Sequence, residues 1–281
     1  MTLPKNAFVR NFGKLVLSSL LVMALSCSTD SESFGDEIIE GDMSADDSQN
    51  ENDSDSGDTN SNDDNGTVST TCPERGESFF SESNGLISVE FENANFNGDW
   101  ELRNDANDIS GQGYMVWTGQ QRLNQPGEGM VTFLIEISNP GTYQFLWKSS
   151  FRQGDNGTEH NDSWLRFPNA NDFFGAKDNG SIVYPGDSGK QPNPEGSSSD
   201  GWFKIYRSGN DNAFVWQART SDNDAHDIFV TFSDEGIYTM EVSARSSFHG
   251  IDRFILFQKD TFTRKQAIEM ADTFSEEGSC N

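Results

Sequence analysis

Three aromatic residues, Trp164, Trp202 and Tyr206, stand in short alternating stretches whose other outward members are cationic. In Gly141-Thr-Tyr-Gln-Phe-Leu-Trp-Lys-Ser-Ser-Phe-Arg152, the side chains of Tyr143, Phe145, Trp147 and Phe151 share one parity. Gln144, Lys148, Ser150 and Arg152 take the other, with Leu146 the exception. This is the pattern of a half-buried β-strand. In Glu159-His-Asn-Asp-Ser-Trp-Leu-Arg-Phe167, burying Leu165 and Phe167 turns Trp164 and Arg166 outward. Burying Phe203 and Ile205 leaves Trp202, Lys204 and Tyr206 outward, and burying Tyr238, Met240, Val242 and Ala244 leaves Arg245 outward at a strand end.

Trp164, Trp202, Tyr206, Arg152, Arg166, Lys204 and Arg245, with His160 and Asn161 in the adjoining polar turn, therefore form a candidate aromatic and cationic binding face. The apolar face of a pyranose covers an indole ring, and burying about 100 Å² at roughly 25 cal/mol/Å² gives about 2.5 kcal/mol before ordering costs. Arg and Lys add a preference for carboxylated or sulfated sugars, to which Arg pairs bidentately. Each aromatic also has a structural reading. Trp147 and Trp216 read as core, Trp117 stays open, and the outward placement of Trp164 and Trp202 fails wherever a bulge intervenes. The three histidines, His160, His226 and His249, lack a tight metal-ligand spacing and read as loop hydrogen-bonding residues.

The elements that must carry this face are many and short. Strands are expected at 86–91, 114–118, 130–137, 142–151, 163–167, 202–206, 213–217, 228–232, 237–244 and 251–257, with turn signals such as Asn139-Pro-Gly and Asp234-Glu-Gly between them. Only 263–273 reads as a helix, packed outside the strands. Strands without intervening helices predict an all-β fold, a β-sandwich of the jelly-roll type.

The 281 residues leave room for one such domain plus tails. Lys5, Arg10 and Lys14 precede the apolar run from Leu15 to Leu25, which ends at Ser26-Cys27, so residues 1–26 read as a secretion signal too short to span a membrane comfortably. Residues 28 to 71 hold 14 acidic and no basic side chains and almost nothing apolar, so 27–71 is expected to be a disordered tether with a reach of roughly 35 to 40 Å. With a net charge of −27, the chain lacks the clustered Lys and Arg of a general nucleic-acid binder. Residues 72–281 form the expected folded domain, bracketed by Cys72 and Cys280. These two would pair as a terminal staple in an oxidising location, or else stand as two free thiols.

Two resemblances sharpen this reading. Ala24-Leu-Ser-Cys27 resembles a bacterial lipobox, with Ala where Leu is usual, and implies lipidation of Cys27. Ordinary cleavage after Ser26 is the rival. The acidic run that follows resembles the export signal of surface lipoproteins in the Bacteroidota, which implies an anchor in the outer membrane at the cell surface; a periplasmic spacer is the alternative. The second resemblance covers 86–258. Ile87-Ser-Val-Glu-Phe-Glu-Asn-Ala94, Trp100, Ser110-Gly-Gln-Gly-Tyr-Met-Val-Trp117, His160-Asn-Asp-Ser-Trp164 and Ser243-Ala-Arg-Ser-Ser-Phe-His-Gly-Ile-Asp-Arg-Phe-Ile-Leu256 occur in the order seen in carbohydrate-binding modules of families 6 and 35. That resemblance implies a jelly-roll lectin module and a structural calcium held by Glu90, Glu92 and Asp252. Glu90 and Glu92 share a strand parity, and calcium prefers such hard oxygen ligands; the alternative is a pair of surface carboxylates on an edge strand.

The expected function is non-catalytic binding of a polysaccharide, an anionic algal or plant glycan, by a surface lipoprotein that serves separate glycan-degrading enzymes and transporters. An enzyme alternative is a jelly-roll polysaccharide lyase or hydrolase, for which His160, Arg152 and Tyr206 would be the acid-base and charge-neutralising residues. A protein-binding adhesin is the third reading.

Overall fold

The computed structural model describes residues 71–281; the expected signal at 1–26, the lipidation at Cys27 and the tether up to residue 70 lie outside the described residues. The first strands are β1 (Ser78–Ser81), β2 (Leu86–Glu90), β3 (Trp100–Arg103), β4 (Tyr114–Trp117), β5 (Val131–Ile137), β6 (Gly141–Phe151), β7 (Asp162–Arg166), β8 (Asp172–Ala176) and β9 (Ile182–Val183). They are followed by β10 (Ser197–Ser198), β11 (Trp202–Tyr206), β12 (Val215–Trp216), β13 (Arg219–Thr220), β14 (His226–Phe232), β15 (Gly236–Ser243), β16 (His249–Gln258) and β17 (Glu277–Ser279). One helix, α1 (Arg264–Glu269), precedes β17, capped by Thr263 and Gln266 in a reciprocal capping box. The fold is all-β, a β-sandwich of the jelly-roll type with a short C-terminal helix.

One layer runs β2–β16–β6–β14–β8–β9 and the other runs β17–β1–β5–β15–β7–β11–β10. All these pairings are antiparallel except β1 with β5. β13 pairs with β11 and with β14, which joins the layers at one margin. Alternation decides which side chains face inward. Phe145, Trp147, Val230 and Phe254 of the first layer meet Phe133, Leu165, Phe203 and Met240 of the second, all buried, and Phe133 and Phe254 touch edge to face across the gap at 5.0 Å. The same alternation sends Lys148, Glu90 and Arg253 to the outer side of one layer, and Trp164, Trp202, Lys204 and Tyr206 to the outer side of the other.

Cys72 and Cys280 are joined by a disulfide with Cα atoms 5.6 Å apart. β17 pairs with β1 beside it, so both ends of the described chain lie along one edge strand.

Candidate functional site

The cationic face lies on the outer side of β7, β11 and β15. Register places Trp164 opposite Lys204 and beside Ser243, while Leu165 faces Phe203 and Val242 in the core. The parity expected from the sequence is therefore present. The open indole platforms are not. Trp164 is 2% exposed and Trp202 is 3% exposed. Trp164 is covered by the loop after β4: its indole Nε1–H donates to the Arg122 carbonyl at 2.9 Å, and that loop is laced to the end of β15 through Ala244 N–H to the Glu128 carbonyl. The Arg245 guanidinium lies over the Trp164 ring at 5.0 Å, and the Arg166 guanidinium over the Trp202 ring at 4.6 Å. Both indoles thus act as seats for cations, a favourable arrangement because the ring quadrupole attracts positive charge.

Each of these cations also has a carboxylate partner. Arg245 pairs with Asp162, Arg166 with Glu241, and Lys204 with Asp222, while Lys204 additionally sits over the Tyr206 ring at 5.4 Å. The Lys204–Asp222 pair divides two adjoining clefts. One, of about 290 Å³, is lined by Leu123, Asn124, Trp164, Ser197, Lys204 and Arg245. The other, of about 310 Å³, is lined by Thr158, Asn161, Lys204, Tyr206 and Asn223. Burial, reinforced by Asp222, raises the Tyr206 phenol above its ordinary value, so it stays protonated; it donates to the Ser221 carbonyl at 3.3 Å. Asn161 is buried and donates to the Arg207 carbonyl at 2.7 Å. The Nε–H groups of Arg122, Arg207 and Arg245 are buried and have no acceptor.

Of the nine residues expected on this face, Trp164, Lys204, Tyr206, Arg245 and Asn161 line the two clefts. Arg166 lines a third hollow of about 300 Å³ together with Lys190 and Asp187. Arg152 and His160 lie instead at the loop rim around Phe248: the Arg152 backbone N–H donates to the Phe248 carbonyl, and the His160 ring stands edge-on to the Phe248 ring at 5.9 Å. Arg152 donates from Nε to the Tyr114 hydroxyl at 3.1 Å, and His160 donates from Nδ1 to the Ser247 carbonyl at 2.6 Å. Tyr206 does not share a cleft with either, so the three residues considered for a lyase are divided between two places. Asp222, Asn124 and Leu123 were not expected from the sequence. The available signal was the Ser221-Asp-Asn-Asp turn, where Ser221 and Asn223 adopt φ of 67° and 62° and present Asp222 beside Lys204.

Glu90, Glu92 and Asp252 come together on the outer side of the other layer, by a route the sequence did not suggest. The strand ends at Glu90, and Glu92 lies in a single 3-10 turn over Phe91–Asn93, so shared strand parity is not what gathers them. A turn at 110–112 links all three instead. Ser110 donates from Oγ to Glu90 at 2.8 Å and from its N–H to Asp252 at 2.9 Å, and the Gln112 N–H donates to Glu92 at 2.7 Å. Gly111 has φ of 58°, and a Cβ there would come within 2.2 Å of Glu92 Oε1, so a side chain at this position would strain the turn and push the Glu92 carboxylate aside. Asp252 is the extra residue of a bulge in β16, between the pairs Ile251–Ser149 and Arg253–Lys148, which re-aims its side chain. Burial, followed by the effect of Glu92 and Asp252, raises Glu90 to about 7 against the Ser110 hydrogen bond; burial also raises Glu92 and Asp252.

These oxygens are hard donors of the type a divalent cation takes. Glu92 Oε2 is buried without a hydrogen-bond donor, and like charges crowd the site. Among the described residues, however, no three His, Cys, Asp or Glu side chains converge closely enough to hold a metal. One cation already touches the cluster: Lys148 Nζ is 3.2 Å from Asp252 Oδ2.

No family model matches the chain, and no curated protein matches it. Among solved structures, the chain is similar to the Podospora anserina GH26-CBM35 β-(1,4)-mannanase, with 15% identity and a TM-score of 0.36 over 62% of this chain and 28% of that one. It is also similar to Xyl-CBM35 in complex with a glucuronic acid containing disaccharide, with 13% identity and a TM-score of 0.34 over 60% of this chain and 91% of that one. A third is the CBM35 from Cellvibrio japonicus Abf62, with 13% identity and a TM-score of 0.34 over 61% of this chain and 91% of that one. The chain thus spans about a quarter of the mannanase and most of each isolated module. Likenesses of this size assign neither a ligand nor an activity.

Proposed function

We propose that the chain is a non-catalytic binder of anionic polysaccharide, anchored through a lipid on Cys27 at the outer surface of an outer membrane and serving separate glycan-degrading enzymes and transporters. The observation that carries this reading is the pair of adjoining clefts over β7 and β11, where Lys204 and Arg245 are held over aromatic rings. A cation fixed in this way keeps its direction, and less side-chain freedom is lost when a uronate carboxylate or sulfate ester docks. Exposed Leu123 at the lip offers an apolar contact for a sugar face. A calcium ion at Glu90, Glu92 and Asp252 would need these side chains to draw together, and it would supply no chemistry to the glycan site.

A second placement of the glycan, at the loop rim, is favoured by Phe248. This bulky residue has φ of 64° and is flanked by the Arg103 guanidinium at 5.8 Å and by His160, itself at φ of 56°. Backbone strain of this kind concentrates where a surface is held for a ligand.

The test is affinity electrophoresis of the purified protein through gels containing alginate, agar, carrageenan, xylan or laminarin, with and without a calcium chelator. Retardation by an anionic polymer, lost in Lys204→Met and Arg245→Met, supports the cleft; loss in Phe248→Ala alone supports the rim. No retardation by any polymer overturns the proposal. Release of unsaturated uronates in the same gels would restore the lyase reading, and binding of a protein that glycans do not displace would restore the adhesin.

A further inference from the structure

We infer that Asp222 is a displaceable stand-in for the ligand's own anionic group on Lys204, so that the site selects chain segments with a carboxylate or sulfate on an internal unit. The inference rests on the cleft reading given above and adds the residue that sets its selectivity. Three cations on this face have carboxylate partners, and the partners are held in unlike ways. Asp162 lies in β7, its side chain is 6% exposed, and besides pairing with Arg245 it accepts the Ser246 hydroxyl. Glu241 lies in β15, laddered to both β5 and β7, and its side chain is 14% exposed. Asp222 lies in no strand. It sits in the turn between β13 and β14, flanked by the positive φ of Ser221 and Asn223, and its side chain is 35% exposed. Among the described residues its carboxylate bonds to Lys204 alone.

Lys204, by contrast, is fixed. Its side chain is 9% exposed, its stem crosses Gly196 so closely that an added Cβ there would stand 3.2 Å from Lys204 Cβ, and its ammonium lies over the Tyr206 ring. When the pair parts, Asp222 is therefore the member that moves, because its turn can direct it to solvent without opening a ladder. Lys204 and Asp222 each line both clefts, so the departure of Asp222 removes the wall between them and leaves one groove. That groove prescribes its ligand. An anionic group takes the seat that Asp222 leaves, with a neighbouring sugar unit in the cleft on either side. A neutral chain offers Lys204 no charge in exchange and leaves a largely buried ammonium unpaired, which disfavours it. Asp222 thus acts against every ligand and is overcome by those that replace its charge.

The experiment compares the wild type, Asp222→Asn and Asp222→Ser of the full chain by affinity electrophoresis in alginate, carrageenan and laminarin gels, with thermal melting to confirm folding. Asn keeps the shape and removes the charge; Ser guards against a residual hydrogen bond from the amide to Lys204. The expected result is a gain in affinity of about three- to tenfold in both variants for the anionic polymer that retards the wild type, and no gain for neutral laminarin. The anionic monosaccharide and trisaccharide made from that polymer then serve as competitors, and only the trisaccharide should release the protein. Unchanged or weaker binding in both variants would overturn the role of Asp222 while leaving the cleft reading intact, and so would an equal gain for laminarin, which would make Asp222 a steric block. Competition by the monosaccharide as strong as by the trisaccharide would overturn the internal placement. Failure of all three proteins to be retarded by any polymer would overturn the cleft reading itself, and the inference with it.

Discussion

The two outer faces of the sandwich carry similar residues and resolve their charges in opposite ways. Over β7, β11 and β15 each cation has its own carboxylate and its own ring: Arg245 with Asp162 and Trp164, Arg166 with Glu241 and Trp202, Lys204 with Asp222 and Tyr206. Over β2, β16 and β6, Lys148 contacts Asp252 alone, Glu90 and Glu92 are held by the turn at 110–112, and burial raises all three carboxyls. The first face is pre-organised, with charge balanced locally and orientation fixed by aromatic seats. The second is short of positive charge. A face of the first kind suits an anionic ligand, because it offers directed donors without an unbalanced core; a face of the second kind suits a cation. The two sides of the same fold thus differ in the ratio of acids to bases.

Replacing a seat is the severest test of the contrast. Trp164→Ala removes a fully covered indole and frees Arg245, and should cost about 3–5 kcal/mol of stability, read by chemical denaturation. A loss under 1 kcal/mol would mean the ring is only a lid. A pH experiment probes the core between the faces. His249 starts β16, is fully buried against Trp147, and shares a hydrogen bond with Ser163; burial, aided by the Arg207 charge, lowers its imidazole to about 3. The unfolded chain takes up this proton near the ordinary value of 6.5 and the folded chain does not, so stability falls as pH drops from 6.5 toward 3. His249→Gln should remove about 2 kcal/mol of that decline between pH 6.5 and 4.5, measured as the difference between the two proteins' denaturation curves. Parallel curves would show that carboxylates alone set the acid limit.

On the balanced face, Lys204→Met should weaken binding of a carboxylated glycan about tenfold, with little change in melting temperature, as expected for a charge-assisted contact worth about 1.5 kcal/mol. Equal weakening for neutral and anionic glycans would place the ligand elsewhere. The smallest effect separates the faces by sign. Glu241→Gln should destabilise by about 1 kcal/mol, since it removes the charge that Arg166 is paired with and leaves a neutral acceptor beside the Asp200 carbonyl and the Trp202 ring. Glu92→Gln in the presence of chelator should stabilise by up to about 1 kcal/mol, its partial exposure limiting the gain. Destabilisation in both would erase the distinction.

The longer strands were legible because alternation of period two survives in them. The expectation at 202–206 matches β11, and those at 142–151 and 237–244 match β6 and β15 to within a residue at each end. β10 and β13 are two residues long, and no period can be read from two residues; they exist because β11 and β14 offer them ladder partners, while the strand expected at 213–217 is present as the shorter β12 beside β6. The 263–273 helix shortens to α1 because the reciprocal cap at Thr263 starts it and Met270 leaves helical geometry. At the sites, parity told which way Trp164 and Trp202 point and nothing of what lies above them. The loop that covers Trp164 reaches it from about 40 residues away in sequence, a contact with no local signal. The acidic cluster was legible as three residues through the resemblance, whereas the bulge at Asp252 and the arrival of Lys148 depend on the register of β16 against β6. The Cys72–Cys280 disulfide realises the staple expected from their positions.

That disulfide makes the domain a closed ring with respect to mechanical load. Cys72 and Cys280 are 208 residues apart in the chain and covalently joined, with β1 held on one side by β17 and on the other by β5. A pull applied on the amino-terminal side of Cys72 is divided at the sulfur bridge and reaches both ends of the sandwich together. No strand can be peeled away from a free end while the bridge holds, and the ladders must be sheared collectively if they are to fail at all.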